Sequence, residues 1–465
     1  MARRAPTRSV VENSGRAERG ATRASSGTIR QRLLTAARRL ESSSDGVDEV
    51  RRAARACGEY AALRLDSLWP PKAVGPIAVV DMFSGCGGMS AGFHAVNSLL
   101  PLYRLHRAID IDRIANSTYA ANLGLTPLQA DIHQLARRRP MALADAIGAP
   151  KTPWVLIGCA PCQGFSSHRN AEGRGDPRNS LFVDFARVAS ALHPDAVVVE
   201  NVPELLTDAY WPFVERARRM LERAGYYVHL SVHSMAEYGV PQQRYRALML
   251  GLRKRFMPVQ GFMERTSFRT VRSAIGHLPR IAAGERLAAD PMHYTASHRE
   301  STIEVIEAVP RDGGNRPPDV GPACLERARR KQGRGAYDDV YGRLHWDRPS
   351  ITITAYARNP ASGRFVHPEQ HRGLSIREAA LLQGFPSGYA FAGTLDERFR
   401  QIGNAVPPAF AAYLALHVAG ELLAAEPTNA VFDRGISAPV GASFSRMIPA
   451  LKAGHLLTRA LTRAS

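Results

Sequence analysis

Pro161-Cys162-Gln163 sets a thiol between a proline and a glutamine, just past the apolar run Trp154-Val155-Leu156-Ile157. A cysteine carried where a strand leaves a sheet is placed to act as a nucleophile, because its reactive atom need not be buried. Pro161 restrains the backbone beside it. Downstream, Gly164-Phe165-Ser166-Ser167 and the polar stretch 168–179, with Arg169, Arg174 and Arg178, read as a lid that closes over the thiol. A second apolar run, Ala196-Val197-Val198-Val199, ends in Glu200-Asn201. A nucleophile at one strand end and a carboxyl group at another suit addition to an electrophilic carbon with a proton delivered nearby.

A third strand end adds a binding loop. Asp81-Met82-Phe83-Ser84-Gly85-Cys86-Gly87-Gly88 lies between an apolar run and a helical one. Glycines there permit a tight turn and close approach of a ligand to helix N-terminal amides. A dinucleotide fingerprint starting at Gly85 would require glycine at position 90, where the chain has Ser90, so the loop points to a nucleoside cofactor other than NAD. Asp110, with Asp112 near it, ends the next strand, where a ribose hydroxyl needs an acceptor, and Asp131 follows Gln129-Ala130. Each acid singly reads as a helix cap or loop residue; three at consecutive strand ends favour a ligand. Cys159-x-x-Cys162 has no second CxxC or histidine pair to complete a metal site, so no metal is expected. Cys86 reads as a small turn residue and Cys159 as a buried, packing thiol.

These residues need a scaffold that brings strand ends together. Strands are expected at Ile77–Met82, Leu105–Ile109, Val155–Ile157, Ala196–Val199, Tyr227–Val232 and Ala247–Leu252. Helical spacing falls between and after them at Ser90–Asn97, Ile114–Asn122, Ser180–Leu192, Trp211–Ala224, Ser375–Gln383 and Pro407–Leu423. That alternation predicts an α/β fold, a doubly wound, mostly parallel Rossmann-like sheet with a second, smaller and irregular domain. The expected organisation is a basic tail over 1–28, a helical arm over 29–72 and a catalytic domain over 76–255. A smaller domain over 256–347 follows, then a return to the catalytic domain over 348–424 and a C-terminal tail over 425–465, with an amphipathic helix at Phe444–Leu461.

The 465 residues carry 61 Lys and Arg against 42 Asp and Glu, a formal charge of +19, and only five of the basic residues are lysine. Arginine forks match phosphate and guanine, so the excess favours a nucleic-acid partner. Residues 1–28 share that basic character, which also suits an organellar transit peptide. Five scattered cysteines fit a reducing compartment rather than a disulfide framework, and a soluble, cytoplasmic, nucleoid-associated monomer with no membrane partner is expected.

Taken with Glu200-Asn201-Val202-Pro203, the set resembles the DNA cytosine-5 methyltransferases. Further pieces follow in that family's order: Pro241-Gln242-Gln243-Arg244-Tyr245-Arg246, then Arg377-Glu378 to Gln383-Gly384-Phe385-Pro386, then Gln401-Ile402-Gly403-Asn404-Ala405-Val406-Pro407. The resemblance runs from about Ile77 to Leu423 apart from the variable segment. It implies methyl transfer from S-adenosylmethionine to cytosine C5 in duplex DNA, with the base flipped out of the stack. It implies Cys162 as the nucleophile toward C6, Glu200 as the group at N3, and Arg244 and Arg246 as base and phosphate contacts. S-adenosylmethionine would be held by Phe83, Ser84, Gly85, Gly87, Asp110, Ile111, Asp131, Ile132, Pro161, Leu181, Asn404 and Val406. Gln163, Ser166, Arg169 and Arg178 would belong to the substrate loop, and 256–347, with Arg327 to Arg334, to target recognition. A cognate restriction endonuclease is an expected partner. An RNA (tRNA) cytosine-5 methyltransferase of the same fold and a catalytically dead, basic DNA-binding module stay open at this point.

Overall fold

Ile77–Met82 is buried at all six positions, and a strand covered on both faces is the central element of the sheet. We call it β1 and describe the protein from a computed structural model covering residues 31, 35, 49–161, 180–332, 337–427 and 431–443. The readings placed on 1–28, on the loop 164–179 and on Phe444–Leu461 lie outside these residues. On one side β1 pairs in parallel with β2 (Tyr103–Asp110), which pairs with the two-residue β3 (Leu128–Gln129). On the other it pairs in parallel with β4 (Trp154–Gly158), and β4 with β5 (Ala196–Asn201). A hairpin of β6 (Tyr227–Ser234) and β7 (Tyr245–Leu252) completes the seven-stranded order β3-β2-β1-β4-β5-β7-β6, with β7 antiparallel to both neighbours. The expected doubly wound, mostly parallel sheet is present, with strand ends extended by one to two residues.

Alternation along the strands feeds two cores. Ile77, Val79, Val155, Ile157, Val198 and Leu250 face one side, against helices α1 (Glu49–Leu63), α2 (Gly88–Ala95) and, much later in the chain, Pro408–Leu423. Ala78, Val80, Leu156, Val197, Val199 and Met249 face the other. There come α4 (Ile132–Leu135), α5 (Pro140–Ile147), α6 (Leu181–Leu192) and α7 (Trp211–Arg223). Helix α3 (Arg113–Leu123), which follows β2, sits instead beside α2, with Tyr119 and Leu123 in a third core and Tyr119 Oη donating to Ser90 Oγ at 2.9 Å. Helix α1 is built into the first core: Val50, Ala53, Ala54, Cys57 and Ala61 are buried there, and Arg51 Nε bonds Glu421 Oε1 at 2.8 Å.

The chain between β7 and the return contains three helices that fading periodicity did not foretell, α8 (Val271–Ile275), α9 (Glu300–Ala308) and α10 (Ala323–Gln332). Val271, Ala274 and Ile275 of α8 pack into one core with Leu344, Trp346 and Ile376, whereas Val305 and Ile306 of α9 form a small separate core with Val309, Val340, Tyr341 and Val366. At its centre the buried Arg343 donates to the carbonyls of Ile306, Val309, His367 and Gln370 at 2.8–3.0 Å. An arginine used this way is internal structure, so part of the basic excess serves folding. The return supplies α11 (Ile376–Leu382), α12 (Leu395–Asn404) and α13 (Pro408–Leu423). Residues 431–443 then cover the edge of β6, with Ile436 N donating to the Leu230 carbonyl at 2.8 Å, which satisfies backbone groups an edge strand would expose.

Candidate active site

In a doubly wound sheet, ligands sit beyond the carboxyl ends of the strands where the order reverses, which here is between β1 and β4. A cavity of about 420 Å³ opens there. Its walls come from Phe83, Ser84 and Gly85 after β1, Asp110, Ile111 and Asp112 after β2, Cys159, Ala160 and Pro161 after β4, and Arg400, Asn404 and Val406 from the return. Eight of the residues expected around a nucleoside cofactor thus share one cavity: Phe83, Ser84, Gly85, Asp110, Ile111, Pro161, Asn404 and Val406.

The first turn is tightly specified. Phe83 lies at φ 60°, in the left-handed region, and Gly87 caps α2 at φ 89°. A Cβ on Gly88 would come 2.4 Å from the Val406 carbonyl oxygen, so only glycine lets the return segment close the cavity against the helix start. Asp110 orders the turn by accepting from Gly85 N and Asp112 N, each at 2.8 Å. Burial raises the Asp110 carboxyl above the usual range, with those amide donors opposing the rise. Burial also pushes Asp81 up to about 8, although Ser90 Oγ donates to it at 2.6 Å. Cys86, pushed up to about 12 by burial, is held as a neutral thiol and supplies no nucleophile.

Four expected contacts lie elsewhere, among them Gly87, which faces Leu123, Tyr119 and Tyr389 rather than the cavity. Asp131 caps α4 by accepting from His133 N at 2.9 Å, and lines an adjoining groove with Ile111 and Gln129. Ile132 is buried in the second core, and Leu181 is the half-buried first residue of α6. Neither borders the cavity.

Beside it, Glu200, the penultimate residue of β5, has its side chain 2% exposed, and Arg246 Nε lies 2.8 Å from its Oε1. Cys159 Sγ lies 2.7 Å from Oε2. Asn201 Nδ2 donates to the Ala160 carbonyl at 3.1 Å, so two successive residues of β5 hold the segment that leads through Pro161 to Cys162. Cys162, Gln163, Ser166, Arg169 and Arg178 themselves lie outside the described residues.

Arg244 departs from its expected role. It is 1% exposed and donates to the carbonyls of Ile353, Gly403 and Ala405 at 3.0, 2.9 and 3.4 Å. Enclosed in protein, the side chain is a brace for the cofactor wall rather than a contact for base or phosphate. Gln242 and Gln383 extend the brace: Gln242 bonds Gln383 Oε1 at 2.7 Å, and Gln383 Nε2 bonds the Ala405 carbonyl at 2.7 Å.

The seven-stranded sheet with its reversed β7 and a cavity at the β1–β4 switch point is the Rossmann-like fold of S-adenosylmethionine-dependent methyltransferases. Residues 77–419 match the C-5 cytosine-specific DNA methylase family, and the chain belongs to it. It is 33% identical over 346 residues to the Type II methylase M.HgiDII of Herpetosiphon aurantiacus, covering 73% of this chain and 94% of that one. It is also 33% identical over 349 residues to the Type II methyltransferase M1.HphI of Haemophilus parahaemolyticus, covering 73% and 86%. Among solved structures, a protein described as a prophage-encoded DNA modification methyltransferase of E. coli aligns with TM-score 0.53 and 24% identity, over 74% of this chain and 99% of that one. The protein is therefore a DNA (cytosine-5)-methyltransferase with S-adenosylmethionine as methyl donor.

The cavity fits that donor. Asp110 and Asp112 line it with carboxyl groups for a polar, cationic ligand, and Phe83, Ile111, Met89 and Val406 give apolar walls. The buried Ser84 Oγ has no hydrogen-bond partner among the described residues and is open to a ligand's polar group.

Proposed function

We propose that the catalytic centre comprises Cys162, Glu200 and Arg246, with the cavity between Phe83 and Val406 as the cofactor site, and that the protein modifies a specific duplex sequence. The observation that carries this reading is the joining of β4 and β5. Their ends set Cys159-Ala160-Pro161 against Glu200-Asn201 at the border of the cavity. A nucleophile at position 162 then starts one residue from the cofactor wall.

Cytosine C5 is a poor nucleophile. Addition of the Cys162 thiolate at C6 turns C5 into an enamine-like carbon. Glu200, hydrogen-bonding or protonating N3, stabilises the charge that this addition creates. Arg246 fixes Glu200 through Oε1. S-adenosylmethionine, when bound, supplies the electrophilic methyl group. Loss of the C5 proton and expulsion of the thiolate restore the ring and free the enzyme. The substrate carbon is reached by extruding the nucleotide from the duplex, with 164–179 as the closing segment.

Residues 256–347, with their own small core, form the target recognition portion, and the arginine-rich face of α10 contacts phosphate. The similarity to Type II enzymes over most of the chain supports a restriction–modification role with an endonuclease of the same specificity. Incubating the full-length protein with labelled S-adenosylmethionine and separate DNA and tRNA pools tests the reading. Label is expected in DNA cytosine only, and none with Cys162→Ala, which retains cofactor binding. Transfer to tRNA alone, or undiminished transfer by Cys162→Ala, overturns it.

A further inference from the structure

The parallel register pairs Gly158 of β4 with Val199 of β5, so the next residues along, Cys159 and Glu200, emerge side by side. Cys159 Sγ lies 2.7 Å from Glu200 Oε2. The other carboxyl oxygen, Oε1, is 2.8 Å from Arg246 Nε. Each oxygen of a 2% exposed carboxyl therefore has its own side-chain neighbour. Cys159 is partly exposed and lines the cofactor cavity, so it stands between the carboxyl group and the space where the methyl donor lies.

A packing residue at this position would need only volume. The thiol offers more, because it is both a weak donor and a weak acceptor. Toward an ionised Glu200, S–H donates to Oε2. Toward a protonated Glu200, rotation about Cβ–Sγ lets sulfur accept instead. One side chain thus keeps the carboxyl plane oriented while its proton is passed to and from the base. A second guanidinium in its place would hold the carboxyl in the ionised form.

We propose that Cys159 is a positioning residue that orients Glu200 toward cytosine N3; this rests on the reading of Glu200 as the N3 partner. It touches neither the reacting carbon nor the methyl group in this role. Loss of the contact frees the carboxyl to turn about Cγ–Cδ, with Arg246 as its remaining side-chain neighbour among the described residues. Misplacement of a catalytic group by about 1 Å can cost on the order of 100-fold in rate, and a rotation that keeps one oxygen anchored is a smaller displacement, expected to cost roughly tenfold.

The test compares Cys159→Ala, Cys159→Val and Cys159→Ser in the full-length enzyme with duplex DNA and labelled S-adenosylmethionine. Alanine and valine are expected to lower kcat about tenfold with KM for the cofactor unchanged, and serine, which keeps a donor–acceptor, to restore it to within about threefold. Valine keeps the position filled, at one methyl group more and with no donor or acceptor, so a fold lost in the alanine variant leaves the valine–serine comparison to decide. Full activity of Cys159→Val, equal impairment of the serine and valine variants, or a defect confined to cofactor binding each overturns the proposal. Glu200→Gln separates the two levels. A fully active Glu200→Gln enzyme removes the reading beneath; an inactive one beside a fully active Cys159→Val removes only the role of Cys159.

Discussion

Arg246 Nε meets Glu200 Oε1 at 2.8 Å across the antiparallel pair of β5 and β7. Glu200 pairs in register with Leu248, and Arg246 is two residues along on the same face. With side chains 13% and 2% exposed, the contact is largely shielded from solvent. Removing one partner of such a pair leaves the other charge uncompensated, at about 3 kcal/mol or more. Arg246→Leu is therefore expected to lower both the urea midpoint and kcat, the latter by about 100-fold through loss of carboxyl orientation. Cofactor affinity, read by calorimetry, is expected within twofold of wild type. A variant that loses only cofactor binding would place Arg246 in the wrong half of the site.

Arg244, two residues away, should behave in the opposite way. Its guanidinium satisfies carbonyls of Ile353, Gly403 and Ala405 inside the protein. Arg244→Leu leaves them without that donor at a cost of about 3 kcal/mol, and it loosens the segment carrying Asn404 and Val406. The expected outcome is a lowered unfolding midpoint and roughly tenfold weaker S-adenosylmethionine binding. Once saturated with cofactor, the folded variant should turn over near the wild-type rate. A kcat loss as large as that of Arg246→Leu would restore Arg244 to the chemistry.

The contrast between these arginines shows where sequence reading stops. Runs buried on both faces, such as Ile77–Met82, are legible because apolar residues occupy every position but Asp81. The strand Leu128–Gln129 has two residues and no pattern to read. Helix α12 left a signal that went unused: Thr394 and Glu397 form a reciprocal capping box, visible as T-x-x-E. Arg244 left none, since its acceptors lie 109 and 159 residues further along the chain. Cys159 is similar. The sequence reads it as a buried packing thiol, whereas it is partly exposed in the cavity wall and its neighbour Glu200 is set by β4 pairing with β5.

The closure of the cofactor cavity rests on a backbone contact, so it should be intolerant of one methyl group. A Cβ at Gly88 would stand 2.4 Å from Val406 O and 3.1 Å from Ala405 Cβ. Neither the helix start nor a backbone carbonyl can move cheaply, and overpacking of this kind costs about 1–3 kcal/mol. Gly88→Ala is expected to weaken S-adenosylmethionine binding at least tenfold in equilibrium titration and to lower Tm. Binding within twofold of wild type would show that the wall formed by Ala405 and Val406 yields freely.

The return segment also carries a titration that should be visible in stability. Arg372 and Glu378 are both 1% exposed and form a forked pair, with contacts of 2.8 and 2.7 Å. Burial alone would raise the Glu378 carboxyl. The Arg372 charge and hydrogen bonds, with smaller help from His367 and the Ser375 amide, overcome that and hold it at about 2, below the usual 4.5. A carboxyl depressed in the folded state binds fewer protons there than in the unfolded chain. Its contribution is therefore complete above 4.5 and is lost as pH falls toward about 2. Glu378→Gln leaves Arg372 buried without its counter-charge, an expected loss of about 3–5 kcal/mol at neutral pH. Urea unfolding of both proteins from pH 7 downward checks this. The gap between them should hold at neutral pH and narrow through the acidic window, because only the wild type surrenders this term to protonation. A gap independent of pH would show that Glu378 stabilises by shape and hydrogen bonding rather than by charge.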